Sequence, residues 1–98
     1  MSKVIFTIKY EIQEEKKDEF LDVIRELKNL VKAEGLENYS VYEVKGKKNM
    51  YKELYQFGSE EAYDNYDDVA DERTDILMNK LSDCMKTGTT EYLTLIEM

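Results

Sequence analysis

The sequence predicts an α+β domain with the element order β-α-β-β-α-β, and three observations carry that reading. A clean two-residue alternation opens the chain, two segments switch to helical spacing, and a glycine-bearing loop joins two β-rich runs in the middle. In a single domain this order forms a four-stranded antiparallel sheet with both helices on one face, the ferredoxin-like arrangement.

From Lys3 to Gln13, the residues Val4, Phe6, Ile8, Tyr10 and Ile12 fall on one face, while Ile5, Thr7, Lys9 and Glu11 fall on the other. From Glu15 the spacing of Phe20, Ile24, Leu27 and Val31 is helical, and Gly35 is placed to stop that helix. Tyr39 to Lys45 and Met50 to Phe57 read as strands joined by the loop Gly46-Lys47-Lys48-Asn49. Ser59 is placed to cap a second helix, with Glu60 and Glu61 favourable in its first turn. Helical spacing continues to about Lys86, long enough that a break near Asp67 to Val69 is expected. Glu91 to Glu97 forms the last strand.

The sheet face away from the helices has no cover in this arrangement. The last strand, YLTLIEM, is apolar on both sides, and Tyr39, Tyr42, Tyr51 and Tyr55 are spread across both faces of the middle strands. So large an amphipathic surface predicts a homodimer packed through the open sheet face.

Ninety-eight residues make one domain, spanning 1–98, at 42% hydrophobic and 37% charged. A formal charge of -8 argues against nucleic acid and against anionic lipid. Cys84 is the single cysteine, which rules out an intramolecular disulfide and fits a reducing compartment. The apolar residues of the N-terminal stretch only alternate, and no run is long enough to span a membrane, so a cytoplasmic protein is expected. Histidine and tryptophan are absent.

The stretch YDDVADERTD, Tyr66 to Asp75, contains the D-D-x-x-D spacing that holds magnesium against diphosphates in some enzymes. On a continuous helical wheel, Asp64, Asp68, Asp71, Glu72 and Asp75 gather opposite the apolar stripe, so the run reads as a solvated acidic face and no metal site is expected. The same wheel turns Tyr63, Tyr66 and Arg73 inward. Arg73 has no carboxylate at helical spacing, whereas Arg25 has Asp22 within reach. Arg73 either runs along the core edge to water or to a strand carboxylate such as Glu53, or enters a pocket and holds an anionic ligand.

The run YQFGSEEAYDNY, Tyr55 to Tyr66, resembles the strand-to-helix corner of the antibiotic biosynthesis monooxygenase-like proteins of the dimeric α/β-barrel superfamily. There a strand ends in acid-x-aromatic, followed by a Ser/Asp cap, an acidic stretch, an Ala-aromatic pair and a histidine. Phe57 stands at the position usually held by tryptophan, Ser59 at the cap and Ala62-Tyr63 at the pair. Tyr66 aligns with the histidine, and Tyr55 with the acidic residue. Haem degradation as practised by some members relies on a histidine and a tryptophan that this chain lacks. Members acting on quinol-type substrates use no cofactor, only an enclosed apolar pocket with hydrogen-bonding groups.

The resemblance thus implies a cofactor-independent monooxygenase or isomerase acting on an aromatic or carbonyl-bearing small molecule. Tyr66 is its candidate acid, and Arg73, Tyr63, Phe57 and Tyr55 are its candidate ligand contacts. The alternative is a non-catalytic small-molecule-binding or assembly module in which the tyrosines only pack, and Cys84 reads as inert packing in either case.

Overall fold

A computed structural model describes residues 2–66 and 72–98. The elements run β1 (Val4–Glu11), a single 3-10 turn (Glu14–Lys16), α1 (Lys17–Leu30), β2 (Leu36–Glu43), β3 (Met50–Phe57), α2 (Glu60–Asp64), α3 (Glu72–Cys84) and β4 (Glu91–Ile96). The four strands form one antiparallel sheet in the order β2-β3-β1-β4, the expected ferredoxin-like topology. Among the described residues no helix is long and apolar enough to cross a membrane.

The register decides what lies under the helices. β1 pairs with β3 so that Val4 faces Phe57, Phe6 faces Tyr55, Ile8 faces Glu53 and Tyr10 faces Tyr51. Because alternate strand residues share a face, these pairs occupy the helix-covered side. On β2, Tyr39 and Val41 join them, opposite Tyr55 and Glu53. Of the four middle-strand tyrosines, three therefore turn inward and are buried, and only Tyr42 looks out on the open face. α1 closes this layer with Phe20, Val23, Ile24 and Leu27, and α3 does so with Thr74, Leu77, Leu81 and Cys84. Each large side chain buried here contributes roughly 1.5–3 kcal/mol through the apolar surface it removes from water.

Two boundaries differ from the sequence reading. α1 ends at Leu30, not at Gly35. The glycine instead sits at φ +83° in the turn closed by Leu36 N–H to Ala33 C=O at 3.1 Å, which leads into β2. The second helix is not one run. Ser59 Oγ caps α2 by accepting from Ala62 N–H at 3.1 Å, as expected, but α2 ends at Asp64 and α3 begins at Glu72. The break expected near Asp67 to Val69 and the DDVAD aspartates lie outside the described residues. Of the acidic face, Asp64, Glu72 and Asp75 are exposed.

β4 is bare. All six of its residues are exposed, with Tyr92, Leu93, Leu95 and Ile96 the large apolar ones. It is an edge strand covered on neither face by its own chain.

Gly35 and Gly46 offer a matched pair of substitutions. Both have φ near +83°, but a Cβ on Gly35 would collide with the Cβ of Ala62, whereas one on Gly46 meets nothing. Gly46→Ala should cost about 1–2 kcal/mol from backbone strain alone. Gly35→Ala should cost more, by a further ~1–3 kcal/mol of overpacking, as read from urea-unfolding midpoints.

Candidate functional site

Where α2 meets the sheet, Phe6 and Ile8 of β1, Tyr55 of β3, and Tyr63, Asp64 and Tyr66 line an open cleft of about 340 Å³. Its walls are aromatic because β1 and β3 present Phe6 and Tyr55 side by side, with ring centroids 5.8 Å apart. Tyr63 comes from α2 and stands 5.9 Å from Phe6. Its hydroxyl reaches Thr94 Oγ1 of β4 at 3.2 Å, and Tyr92 stacks on Phe6 at 6.1 Å. Tyr66 follows the end of α2 and lies 5.8 Å from Tyr55. Fully buried Phe57 does not line the cleft but packs behind its wall, meeting Tyr63 at 5.5 Å and Tyr66 at 5.3 Å edge-on. Such edge-to-face contacts hold the rings in fixed orientation. A second hollow, about 540 Å³, lies beyond Tyr66 between Ala33–Gly35 and Ser59–Asn65. It is larger, but it carries the carboxylates Glu34 and Glu61 and lacks the cleft's aromatic lining apart from Tyr66, so it is less suited to a flat apolar ligand.

Four of the expected site residues therefore come together: Tyr55, Tyr63 and Tyr66 in the wall and Phe57 behind it. Arg73 does not join them. It is half exposed and forms a two-pronged ion pair with Glu26 of α1, with Nη2 to Oε1 at 2.6 Å and Nε to Oε2 as the second contact. The expected alternative pairing with Glu53 is not formed either. The reason is the interruption of the helix after Asp64. The wheel that turned Arg73 inward assumed one unbroken phase, and α3 starts its own, with Thr74, Leu77, Leu81 and Cys84 as its buried line. Arg25 pairs with Asp22 at 3.1 Å, as its spacing predicts. Cys84 is fully buried as a free thiol, and burial pushes its pKa up.

One residue of the site was passed over as anything but a partner for Arg73. Glu53 is 1% exposed and lies on the helix-covered face between Ile8 and Val41. Tyr39 Oη donates to its Oε1 at 2.7 Å, and Tyr55 Oη lies 3.5 Å from the same oxygen. Tyr10 Oη faces this carboxyl too, although it meets no hydrogen-bond geometry there. Burial raises the carboxyl above the usual glutamate range, and the tyrosine hydroxyls pull it only partly back. Burial and the nearby carboxyl likewise raise the Tyr39 phenol. The sequence carried a signal for this: Tyr51, Glu53, Tyr55 and Phe57 share one strand phase, so the only carboxylate in that phase falls among aromatics.

The comparisons with known proteins agree with this fold. The family pattern described as antibiotic biosynthesis monooxygenase matches residues 3–71. The chain belongs to that family. No curated protein matches the sequence. Among solved structures it is similar to a conserved protein from Methanosarcina mazei Go1, at 21% identity and TM-score 0.81, covering 100% of this chain and 95% of that one. It is also similar to Rv0793 from Mycobacterium tuberculosis, at 12% identity and TM-score 0.76, covering 98% and 95%. A third is a variant of SnoaB, a cofactor-independent oxygenase from Streptomyces nogalater, at 15% identity and TM-score 0.72, covering 95% and 90%. At these identities the similarities establish the shared fold.

The raised Glu53 has a sign that can be tested. Between the ordinary glutamate range and its own higher value, the folded protein holds a proton that the unfolded chain has released. The resulting stability is complete below the ordinary range and is lost as pH rises through the folded value. The urea midpoint of wild type relative to Glu53→Gln should therefore fall with rising pH across that window and be level on either side. Tyr39→Phe removes the 2.7 Å donor and should cost about 1–3 kcal/mol above Glu53's titration, while moving that titration higher still.

Proposed function

We propose that this family member binds a flat aromatic or carbonyl-bearing small molecule in the cleft and acts on it as a cofactor-independent monooxygenase or isomerase. The observation that carries this reading is the cleft itself, a space of about 340 Å³ whose wall includes Phe6, Tyr55, Tyr63 and Tyr66, with Phe57 packed behind the last two. That is within the range of small-ligand sites, and the mix of ring faces and phenolic hydroxyls suits a polycyclic ligand with oxygen substituents. A quinol-type ligand supplies its own electrons to dioxygen. The protein's part is then to hold the rings, keep water out and manage protons. Membership of the family, and the description of SnoaB as a cofactor-independent oxygenase, support this chemistry over a purely structural role. In this reading Tyr66 is the acid, and Arg73, engaged by Glu26, would have to leave that ion pair to contact a ligand.

The same reading includes a homodimer formed through the open sheet face, in a reducing cytoplasm. Support for the dimer comes from β4, whose six exposed residues leave Leu93 and Leu95 on the open face beside Ile5 and Thr7. A free buried cysteine fits the reducing compartment.

Native mass spectrometry should show twice the chain mass, and Leu93→Glu with Leu95→Glu should return it to one; a wild-type monomer would refute the dimer. Menadione, a methylated naphthoquinone, should raise the melting temperature. At one hundred times its dissociation constant the stabilisation is about 2.7 kcal/mol. Ile8→Trp, which fills the cleft, should abolish the shift. A wild-type protein indifferent to menadione and to other quinones and aromatic acids would favour the non-catalytic module.

A further inference from the structure

We propose that Glu53 is the proton acceptor of the cleft, reached from it through the hydroxyl of Tyr55. The inference rests on the proposed quinol-type chemistry and adds the group that chemistry needs. Oxidising a quinol with dioxygen requires removal of a hydroxyl proton, and the usual base for that near neutral pH is histidine. The chain has no histidine. Among the described residues Glu53 is the only buried carboxyl, and it stands one residue behind the cleft wall. Its strand neighbours Ile8 and Tyr55 both line the cleft, and Tyr55 Oη lies 3.5 Å from Glu53 Oε1. Catalytic hydrogen bonds of this length in an empty site commonly tighten when a ligand is bound.

The surroundings suit a base that stores a proton instead of an ion pair that holds its charge. Among the described residues, Tyr10 from β1, Tyr39 from β2 and Tyr55 from β3 are the titratable groups acting on Glu53. The buried residues of α1 are Phe20, Val23, Ile24 and Leu27, and those of α3 are Thr74, Leu77, Leu81 and Cys84, so neither helix turns a charge inward. Arg73, the cation nearest this role by sequence, is held by Glu26. Tyr39 donates to the same carboxyl oxygen, Oε1, at 2.7 Å, and of the two hydroxyls at that oxygen only that of Tyr55 belongs to a residue lining the cleft.

The step balances without a metal or a cofactor. The ligand O–H bond breaks and its proton bonds to the Tyr55 oxygen. The original Tyr55 O–H bond breaks in turn, and that proton bonds to the Glu53 carboxylate. The ligand becomes a quinolate, Glu53 a carboxylic acid, and Tyr55 is unchanged. No electron moves until dioxygen, the oxidant, takes two electrons from the quinolate. Together with the second quinol proton and the one returned by Glu53, this gives the quinone and hydrogen peroxide when no oxygen atom is inserted. Tyr55 is the group touching the ligand, and Glu53 acts through it.

The test is dioxygen uptake with 1,4-dihydroxynaphthalene as a function of pH, alongside menadione binding by calorimetry, for wild type, Glu53→Gln and Tyr55→Phe. Wild type should show kcat/KM falling about tenfold per pH unit below the Glu53 titration. Both variants should lose that limb and about a hundredfold in rate while still binding menadione. Tyr55→Phe keeps the ring and the packing, so it carries the test if Glu53→Gln fails to fold. If protein-dependent uptake persists in the variants with an unchanged pH profile, the relay is wrong and the quinol reading stands. If wild type binds menadione but does not accelerate uptake, or binds neither compound, the quinol reading fails and the relay fails with it.

Discussion

Everything in this molecule follows from covering a four-stranded sheet on one face only. The β1–β3 register puts Val4, Phe6, Ile8 and Tyr10 opposite Phe57, Tyr55, Glu53 and Tyr51, and all eight lie on the helix side. A shift of one residue would turn every one of them to the open face. The register therefore fixes at once where the core lies, which rings wall the cleft, and that a carboxyl must be buried among them. The cost of burying that carboxyl is offset only in part by tyrosine hydroxyls from the sheet, chiefly Tyr39 at 2.7 Å.

The same one-sided covering explains why the two ends of the sheet differ. α1 reaches β2 and, through Phe20 against Tyr51, β3, and Tyr39, Tyr51 and Tyr55 are buried in the core while Tyr42 stays on the open face. β4 lies beyond the helices, so Tyr92, at 69% exposed, and Ile96 are open on the very face that buries Val4. Yet β4 is not idle in the protomer. Thr94 Oγ1 shares a hydrogen bond with the Tyr63 hydroxyl, and Tyr92 stacks on Phe6, so the bare strand touches two residues of the cleft wall.

Much of this was legible in the residues. The alternation of β1, the phase of β3, the Gly46–Asn49 loop and the Ser59 cap all appear where local periodicity and capping chemistry put them. These signals are short-range, and each is complete within a few residues. Gly35 was misread because a glycine after an apolar helix stripe is ambiguous between a helix stop and the next turn, and the close approach of Ala62 that demands a glycine there comes from α2. Arg73 was misplaced for a related reason: a helical wheel carries phase only while the helix is continuous, and this one ends at Asp64.

Glu53 shows the more general limit. A carboxylate in phase with Tyr51, Tyr55 and Phe57 is visible in the sequence, but strand phase alone does not say whether that face is dry. Dryness is a property of the assembled layer. It needs α1 and α3 above and the hydroxyls of Tyr10, Tyr39 and Tyr55 around the carboxyl, drawn from three strands. The DDVAD aspartates stand out in the sequence because they are dense, and a dense run of charge is in general what water tolerates best. A single acid placed where water does not reach is the opposite case. Its charge must be satisfied by the protein or given up to a proton, so it is at Glu53, behind the aromatic wall, that this chain has a group able to exchange one with a bound ligand.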